Sequence, residues 1–205
     1  EHLKATFNSD GTLDLLHKES GRTFAGLHYF EDSGETGHSW IHMVPDDNRV
    51  ITSHGSPCSI ELVESGPLSS TIAVVTRMRI PVGLTRELTD QFRDEADNNT
   101  SRSNETREMV ITSQFTLRAG QRRLDVKTTF TNLCKNHRLR VVFPTRLSCD
   151  QTHAEIGYDV IDRDITVKKG NAYYGKPNPQ YPMHRFVDMS DGENEIGRAS
   201  CRERG

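Results

Sequence analysis

Hydrophobic and polar residues alternate along much of the chain, which is the period of an extended strand with one buried face. "LKATF", Leu3 to Phe7, leads through the turn residues "NSDG" into "TLDLLHK", and this succession predicts a β-hairpin whose turn contains Asp-Gly. "TIAVVTRMRI", Thr71 to Ile80, is rich in β-branched residues, as expected of a central strand. "RLRVVFPTRL" predicts a further strand that ends at Pro144. The pattern therefore predicts strands rather than helices.

The clearest unit is "MVITSQFTLRAGQRRLDVKTTFTN", in which two alternating segments flank the turn "AGQR". No stretch of the sequence gives an amphipathic helix of three turns, so the helical crossovers that a parallel α/β fold needs are missing. Many short strands separated by turn signals predict an all-β fold, an antiparallel β-sandwich of the supersandwich type. The residues predicted to share one face of the hairpin are Ile111, Phe115 and Leu117 on the first strand and Leu124, Val126, Thr128 and Phe130 on the second.

Two segments depart from this pattern and set the predicted domain organisation. "RDEADNNTSRSNETRE", residues 93–108, is polar throughout and predicts a mobile hairpin insertion. "IGRASCRERG", residues 196–205, follows no alternating pattern and closely resembles the translation of a common sequencing adapter, so we interpret it as a tail that is not native. The sequence also begins inside a strand without an initiator Met. We therefore expect one β-sandwich domain over residues 1–195, truncated at both ends.

Charge and cysteine content narrow the classes of partner. The chain has 26 Lys and Arg against 29 Asp and Glu, a net charge of −3, and the basic residues are scattered, which argues against a nucleic-acid partner. No apolar run approaches the length that spans a membrane, which argues against a membrane partner. Outside the tail the cysteines are Cys58, Cys134 and Cys149, an odd number without CxxC spacing. Such usage predicts a reducing compartment, and hence a cytoplasmic location.

Two groups of residues could carry chemistry, and both have an ordinary alternative. His38 and His42 are four residues apart but lack the intervening Glu of the HExxH zinc motif, so surface histidines are the simpler interpretation. Asp162 and Asp164 share one face of a predicted strand. A glycosidase needs two carboxylates about 5 to 10 Å apart, and sequence alone does not fix that separation. We therefore predict no catalytic residue and no metal ligand in this chain.

The stretch "GLHYFEDSGETGHSW" is the richest in candidate site residues, because it combines aromatic rings, two acids and the only tryptophan. Glu31 and Asp32 are adjacent, so in an extended segment they point in opposite directions, which is a poor geometry for an acid and nucleophile acting on one sugar. The segment is expected to be an open loop that packs on another domain, contacts a sugar, or simply lies at the surface. The residues predicted for substrate binding or a domain interface are Tyr29, Phe30, Glu31, Asp32 and Trp40.

Several segments resemble, in the same order, the C-terminal β-sandwich region of glycoside hydrolase family 38, the α-mannosidases. The similarity is greatest to the bacterial mannosylglycerate hydrolase type and runs from Leu3 to about Asp191. "HYFEDSG" and "HRLRVVFPT" are its most specific parts. The other matching segments are "LKATFNSDGTLDLLHKESGRTFAGL", "SIELVESGPLSSTIAVVTRMRIP", "LDVKTTFTN" and "YPMHRFVDMSDG".

The resemblance implies a zinc-dependent, retaining α-mannosidase as the parent enzyme. In that family a separate N-terminal barrel carries the zinc ligands, the nucleophile and the acid/base. The implied partners are therefore that catalytic barrel and a mannoside, with no cofactor held by this chain itself and homo-oligomerisation left open. The alternative from another class is a free-standing carbohydrate-binding β-sandwich without a catalytic partner.

Overall fold

The computed structural model describes residues 1–37, 42–86, 100–166 and 183–199. Within these ranges every regular element is a β-strand, paired antiparallel with its neighbours, which confirms the all-β prediction. The same ranges contain no helix long and apolar enough to cross a membrane. The chain divides into two compact units, Glu1–Pro144 and Thr145–Gly205.

The first unit contains ten strands in three sheets. Their order is β6-β7-β8-β9 in the largest sheet, β1-β2-β3 in the second and β10-β4-β5 in the third. The strands are β1 (Leu3–Phe7), β2 (Leu13–His17), β3 (Arg22–Leu27), β4 (Tyr29–Gly34), β5 (Ile51–Thr52), β6 (Cys58–Ser65), β7 (Ser69–Pro81), β8 (Thr106–Arg118), β9 (Leu124–Phe130) and β10 (His137–Val142).

The hairpins predicted from the alternating pattern are confirmed. β1 and β2 pair in register from Leu3 opposite His17 to Phe7 opposite Leu13. The connecting turn uses Gly11, whose φ of 84° is accessible to glycine without strain. The segment "AGQR" joins β8 to β9 as predicted. The strand predicted from Thr71 to Ile80 is longer than expected and spans the thirteen residues of β7.

The core of the first unit lies between the largest sheet and the sheet that contains β4. Met78 lies opposite Met109 in the β7–β8 ladder, and both side chains are fully buried. Phe30 of β4 packs on this pair from the facing sheet. Two layers with their apolar faces inward make this unit a β-sandwich. The cluster consists of Phe30, Met78, Ile80, Met109, Ile111 and Cys134, with Ile51, Leu139 and Val141 packed against it.

The two outer strands of the largest sheet expose apolar side chains. Val126 lies opposite buried Phe115, and Phe130 lies opposite buried Ile111, so the predicted shared face is confirmed. However, Val126 is 40% exposed and Phe130 is 44% exposed. The layer that covers β8 therefore does not extend over β9. We call the residues Val126, Phe130 and Leu133 the β9 flank.

The insertion predicted over residues 93–108 is corrected in its second half. Residues 87–99 lie outside the described ranges. From there onward the chain is bonded to the sandwich: Leu84 bridges to Arg102, and the N–H of Thr85 donates to the carbonyl of Ser101 at 2.9 Å. Thr106 already belongs to β8. The polar composition of this segment predicted mobility. The residues that bond it lie far away in the sequence, so local composition could not indicate them.

The second unit contains one four-stranded sheet with the order β12-β11-β13-β14. Its last strand overlaps the segment interpreted as a tail, because Glu195 pairs with Ser190 and Ile196 with Met189. Ladder hydrogen bonds are made by backbone groups, so native and non-native sequences can both form them. The interpretation of residues 196–205 as not native stays a prediction, and residues 200–205 lie outside the described ranges. The strands are β11 (Gln151–Glu155), β12 (Val160–Asp164), β13 (Phe186–Ser190) and β14 (Glu195–Ala199).

Candidate functional site

The stretch expected to be an open loop begins with a strand, and this corrects the prediction. Tyr29–Gly34 forms β4, between β10 and β5 in its sheet. Successive residues of a strand point to opposite faces, so the candidate residues separate into two sets. Phe30 and Asp32 face the core, and both are buried. Tyr29 and Glu31 face outward, while Trp40 lies outside the described residues.

Asp32 is the centre of a buried network of charged and polar groups. Its side chain is 0% exposed, and its two carboxylate oxygens are held by Arg102 and by Nδ1 of His137, the latter at 2.5 Å. Arg102 also donates to the carbonyl oxygens of Asp32 and Arg49, at 3.1 and 2.9 Å. The network joins segments that are far apart in sequence. Asp32 therefore has a structural role in this network. Phe30 and Asp32 are buried, and their assignment to substrate binding or a domain interface stays a prediction.

Sequence reasoning missed Arg102 and His137. Arg102 lies in the polar segment that predicted mobility, and His137 was quoted only as part of a matching motif. The available signal was Asp32 itself, because an acid placed on the inward face of a strand requires a cationic or hydrogen-bonding partner. Nε2 of His137 is in turn 2.9 Å from Oδ1 of Asn132. That oxygen also accepts the backbone N–H of Cys134 at 3.0 Å.

The outward face of β4 presents an aromatic surface beside an ion pair. The rings of Tyr29 and His54 lie 4.5 Å apart between centroids, at an interplanar angle of 38°. On the same face Glu31 pairs with Arg140 of β10, directly opposite in the register. The Glu31 side chain is 21% exposed and that of Arg140 is 38% exposed, so both stay accessible. We call this surface, made of Tyr29, Glu31, His54, Arg138 and Arg140, the outer face.

Arg138 shares the outer face because it lies two residues before Arg140 on β10 and opposite Ser33. Burial lowers the pKa of the Arg138 guanidinium, and the neighbouring charge of Arg140 lowers it further, against the opposing effects of Glu35 and Glu31. The Nε of Arg140 is enclosed and has no hydrogen-bond acceptor in the part of the chain that the structure describes. Two half-buried cations therefore lie side by side on this face.

The side chain of Glu35 binds residues on both sides of the segment that contains Trp40. One of its carboxylate oxygens accepts the backbone N–H groups of Gly37 and Met43, at 2.7 and 3.0 Å. The other oxygen is bonded to Nδ1 of His42. The N–H of Thr36 donates to the carbonyl of Met43 at 2.9 Å, which joins the two ends of the segment. His42, one of the two histidines considered as a metal pair, is therefore engaged by Glu35, and His38 lies outside the described residues.

The environment of Asp10 predicts that the stability of this chain depends on pH. Asp10 adjoins the outer face because its carboxylate lies 3.5 Å from Nδ1 of His54. Burial alone would raise the pKa of Asp10, but hydrogen bonds from the Thr12 hydroxyl at 2.7 Å and backbone N–H at 3.0 Å lower it below 3.8, with a smaller effect of His54. A carboxylate with a lowered pKa stabilises the fold above its unfolded pKa, and the contribution disappears as the pH falls through the folded pKa. The difference in unfolding free energy between the wild type and Asp10→Asn should shrink below pH about 4.

Urea unfolding at pH 7 and pH 3 measures this difference, with Asp159→Asn, an exposed acid of the second unit, as the matched control. An equal effect of Asp10→Asn at both pH values would contradict the assignment.

Among the described residues, the acids considered as a carboxylate pair are bonded to neighbours within their own sheet. Within the described ranges no three His, Cys, Asp or Glu side chains are placed to hold a metal ion. Asp162 is bonded to Nδ1 of His153 at 2.7 Å, and this hydrogen bond raises the pKa of His153. Asp164 accepts from the side-chain amide of Gln151 at 2.9 Å. The two acids do share a strand face as predicted, but each is bonded to the residue opposite it on β11.

Comparison with known proteins identifies relatives of this chain. The sequence matches the family described as "Glycosyl hydrolases family 38 C-terminal domain" over residues 1–204. A protein of Halalkalibacterium halodurans whose provisional name is mannosylglycerate hydrolase is 24% identical over 196 residues, covering 94% of this chain. The crystal structure of an α-mannosidase from Enterococcus faecalis V583 superposes with a TM-score of 0.81 at 27% identity, covering 93% of this chain.

A second solved structure, a family 38 protein from Enterococcus faecalis, gives a TM-score of 0.77 at 26% identity and also covers 93% of this chain. This chain spans 22% of the length of each of these three proteins. The family match covers nearly all of the sequence. The chain therefore belongs to glycosyl hydrolase family 38 and corresponds to the C-terminal domain of that family.

Proposed function

We propose that this chain is the non-catalytic β-sandwich portion of a zinc-dependent, retaining α-mannosidase that hydrolyses terminal α-mannosides. The observation that carries the proposal is the match of residues 1–204 to the C-terminal domain of family 38, together with the likeness to a much longer α-mannosidase. In the intact enzyme the zinc, the nucleophile and the acid/base belong to an N-terminal catalytic barrel. Zinc bound there would hold sugar hydroxyls and stabilise charge that develops in the reaction.

The outer face is the surface of this domain that fits a sugar. An aromatic ring flanked by charged hydrogen-bonding groups is the usual composition of a carbohydrate-contacting surface, because the ring packs on the apolar face of the pyranose and the polar groups bond its hydroxyls. Tyr29 provides the ring, which packs at a tilt against the ring of His54. Glu31 and Arg140 provide the polar groups, held in place by their ion pair. We therefore propose that this face lines the active-site cleft.

The β9 flank is the surface that fits the catalytic barrel. Val126, Phe130 and Leu133 are each 40% or more exposed in this chain. Val126 and Phe130 lie on the edge strand β9, and Leu133 follows it by three residues. Natural proteins usually cover such an edge or protect it with charge. Packing of the barrel here would bury apolar side chains that the sandwich leaves open.

Activity measurements test the proposal that the N-terminal barrel is catalytic and that this chain is not. The purified chain should show no hydrolysis of an aryl α-mannoside, with or without added zinc. A longer polypeptide that carries an N-terminal family 38 barrel ahead of this sequence should show zinc-dependent hydrolysis with retention at the anomeric carbon. The readout is release of the aryl group, with a chelator-treated sample as the control. Zinc-dependent turnover by the chain alone would contradict the proposal.

A free-standing carbohydrate-binding module is the alternative, since the outer face needs no barrel to be accessible. The genomic sequence upstream of Glu1 separates the two: an open reading frame that encodes a barrel supports the enzyme. The three described cysteines are free, which favours the cytoplasm as the compartment of the proposed enzyme.

A further inference from the structure

We propose that His54 positions the ring of Tyr29 on the outer face, and that Asp10 holds the side chain of His54 in place. This inference rests on the proposed function, because the positioned ring is the one that contacts the sugar. It assigns a role to two residues that the sequence pattern did not single out as site residues. Three segments meet at this point: the β1–β2 turn, the start of β4 and the turn that follows β5.

The backbones of Tyr29 and His54 are fixed relative to each other by the residues beside them. The N–H of Phe30 donates to Oγ of Ser53 at 3.0 Å, and the N–H of Ser53 donates to the carbonyl of Phe30 at 2.9 Å. Ser53 is buried, so water does not compete for these two bonds. The N–H of Ser56 donates to the carbonyl of Ser53 at 3.0 Å, which closes a turn that contains His54. The backbone of His54 is therefore held beside Tyr29.

The side chain of His54 contacts a ring and a carboxylate. Its ring centroid lies 4.5 Å from that of Tyr29, and its Nδ1 lies 3.5 Å from Oδ2 of Asp10. The second distance is long for a hydrogen bond but within the range of an ion pair, so the attraction is strongest when the imidazole is protonated. Half of the His54 side chain is exposed, so its orientation depends on these two contacts more than on surrounding packing.

Asp10 is itself fixed by the turn in which it lies. Its Oδ1 accepts the hydroxyl and the backbone N–H of Thr12, at 2.7 and 3.0 Å, while its Oδ2 faces His54. Burial opposes the charge of this carboxylate, but the bonds from Thr12 and a smaller effect of His54 lower the pKa of Asp10, which is therefore ionised at neutral pH. A charged group in a fixed position thus faces the imidazole, and the imidazole faces the ring of Tyr29.

A fixed Tyr29 ring favours the proposed sugar contact. A pyranose packs on an aromatic ring when the ring presents its face, and a ring that is already ordered loses less conformational entropy on binding. The contact is the same in the bound substrate and in the transition state, so its loss should raise KM and leave kcat nearly unchanged. His54 acts through Tyr29, and Asp10 acts through His54. Both are therefore positioning residues.

The test is hydrolysis of an aryl α-mannoside by the longer polypeptide that carries the N-terminal barrel. His54→Ala should raise KM roughly two- to tenfold, the contribution of one aromatic pair, with kcat within about twofold of the wild type. His54→Phe keeps a ring but loses Nδ1, so its KM should rise by a smaller factor. Asp10→Asn keeps an oxygen for Thr12 but loses the charge that faces His54, so it should also raise KM by a smaller factor. The matched control is His17→Ala, a partly exposed histidine of β2, which should leave KM unchanged.

Double variants show whether the three residues act in series. In a Tyr29→Ala background, His54→Ala should have no further effect on KM, and in a His54→Ala background Asp10→Asn should have none either. NMR of the labelled chain reads the contact directly. Cross-peaks between the ring protons of Tyr29 and His54 should be strong in the wild type and weaker in Asp10→Asn. A well-dispersed spectrum shows that each variant is folded.

The outcomes separate this inference from the proposed function. Zinc-dependent hydrolysis with an unchanged KM in His54→Ala overturns the positioning role and leaves the α-mannosidase assignment standing. Additive effects of His54→Ala and Tyr29→Ala also overturn it, because His54 would then contact the sugar itself. Cross-peaks that keep their intensity in Asp10→Asn overturn the role of Asp10. Absence of hydrolysis by the wild-type longer polypeptide overturns the proposed function, and this inference with it.

Discussion

Replacing Arg102 with methionine is expected to lower the free energy of unfolding of this chain by about 3–5 kcal/mol, the usual cost of leaving one partner of a buried ion pair uncompensated. The Arg102 side chain is 1% exposed and that of Asp32 is 0% exposed, so water cannot replace the lost contact. Two backbone carbonyls, of Asp32 and Arg49, also lose their donor. Urea unfolding followed by circular dichroism measures the change.

The matched control is Arg79→Met, an exposed arginine on β7, which should change stability by less than about 0.5 kcal/mol. The double variant Asp32→Leu, Arg102→Met should recover part of the loss, because it removes both buried charges. A cost below about 1 kcal/mol for Arg102→Met would show that the network is open to water and that Asp32 is not structural.

Truncation of Phe115 to alanine is expected to cost about 3–5 kcal/mol, the range for a buried phenylalanine. Its side chain is 2% exposed and contacts the rings of Phe7 and His28 in edge-on geometry, at centroid distances of 5.1 and 4.7 Å. These contacts tie the largest sheet to β1 and to the residue that joins β3 to β4. The loss would therefore leave a cavity between two layers of the first unit.

Phe130→Ala is the matched comparison, because Phe130 lies on the same face one strand away and is 44% exposed. It should cost clearly less than Phe115→Ala in this chain, about 1 kcal/mol. In a longer polypeptide that includes the catalytic barrel, the cost of Phe130→Ala should rise if the β9 flank is the interface. Equal costs for the two substitutions in this chain would mean that the flank is covered by the sandwich itself.

The sequence correctly predicted strands whose position depends on local patterns, namely turn residues and period-two alternation. Turn residues and a period of two placed β1, β2, β8 and β9, since backbone geometry at a hairpin depends on residues that are neighbours along the chain. The same reasoning failed for β4, where Gly34 and two adjacent acids suggested a loop. Gly34 is needed because a side chain there would come within 2.9 Å of the Pro45 ring, and this close approach is invisible before the chain folds.

Sequence reasoning predicted only part of the candidate site. Alternation correctly placed Glu31 and Asp32 on opposite faces, but it could not say which face was buried. That choice depends on Arg102, seventy positions away from Asp32, in a segment whose composition suggested mobility. The arginines of β10 were likewise missed as site residues, since only the pairing of β10 with β4 brings them beside Tyr29.

The buried charge pair has a consequence for how this domain can vary among relatives. Moving β4 by one residue relative to its neighbours would exchange its two faces, placing Tyr29 and Glu31 inside and Phe30 and Asp32 outside. An apolar core tolerates such an exchange when the residues are of similar size. The Arg102–Asp32 pair does not tolerate the exchange, because Arg102 would then be buried without its carboxylate partner. Insertions and deletions of single residues should therefore be excluded from β4, and length variation should fall in the connections beyond it.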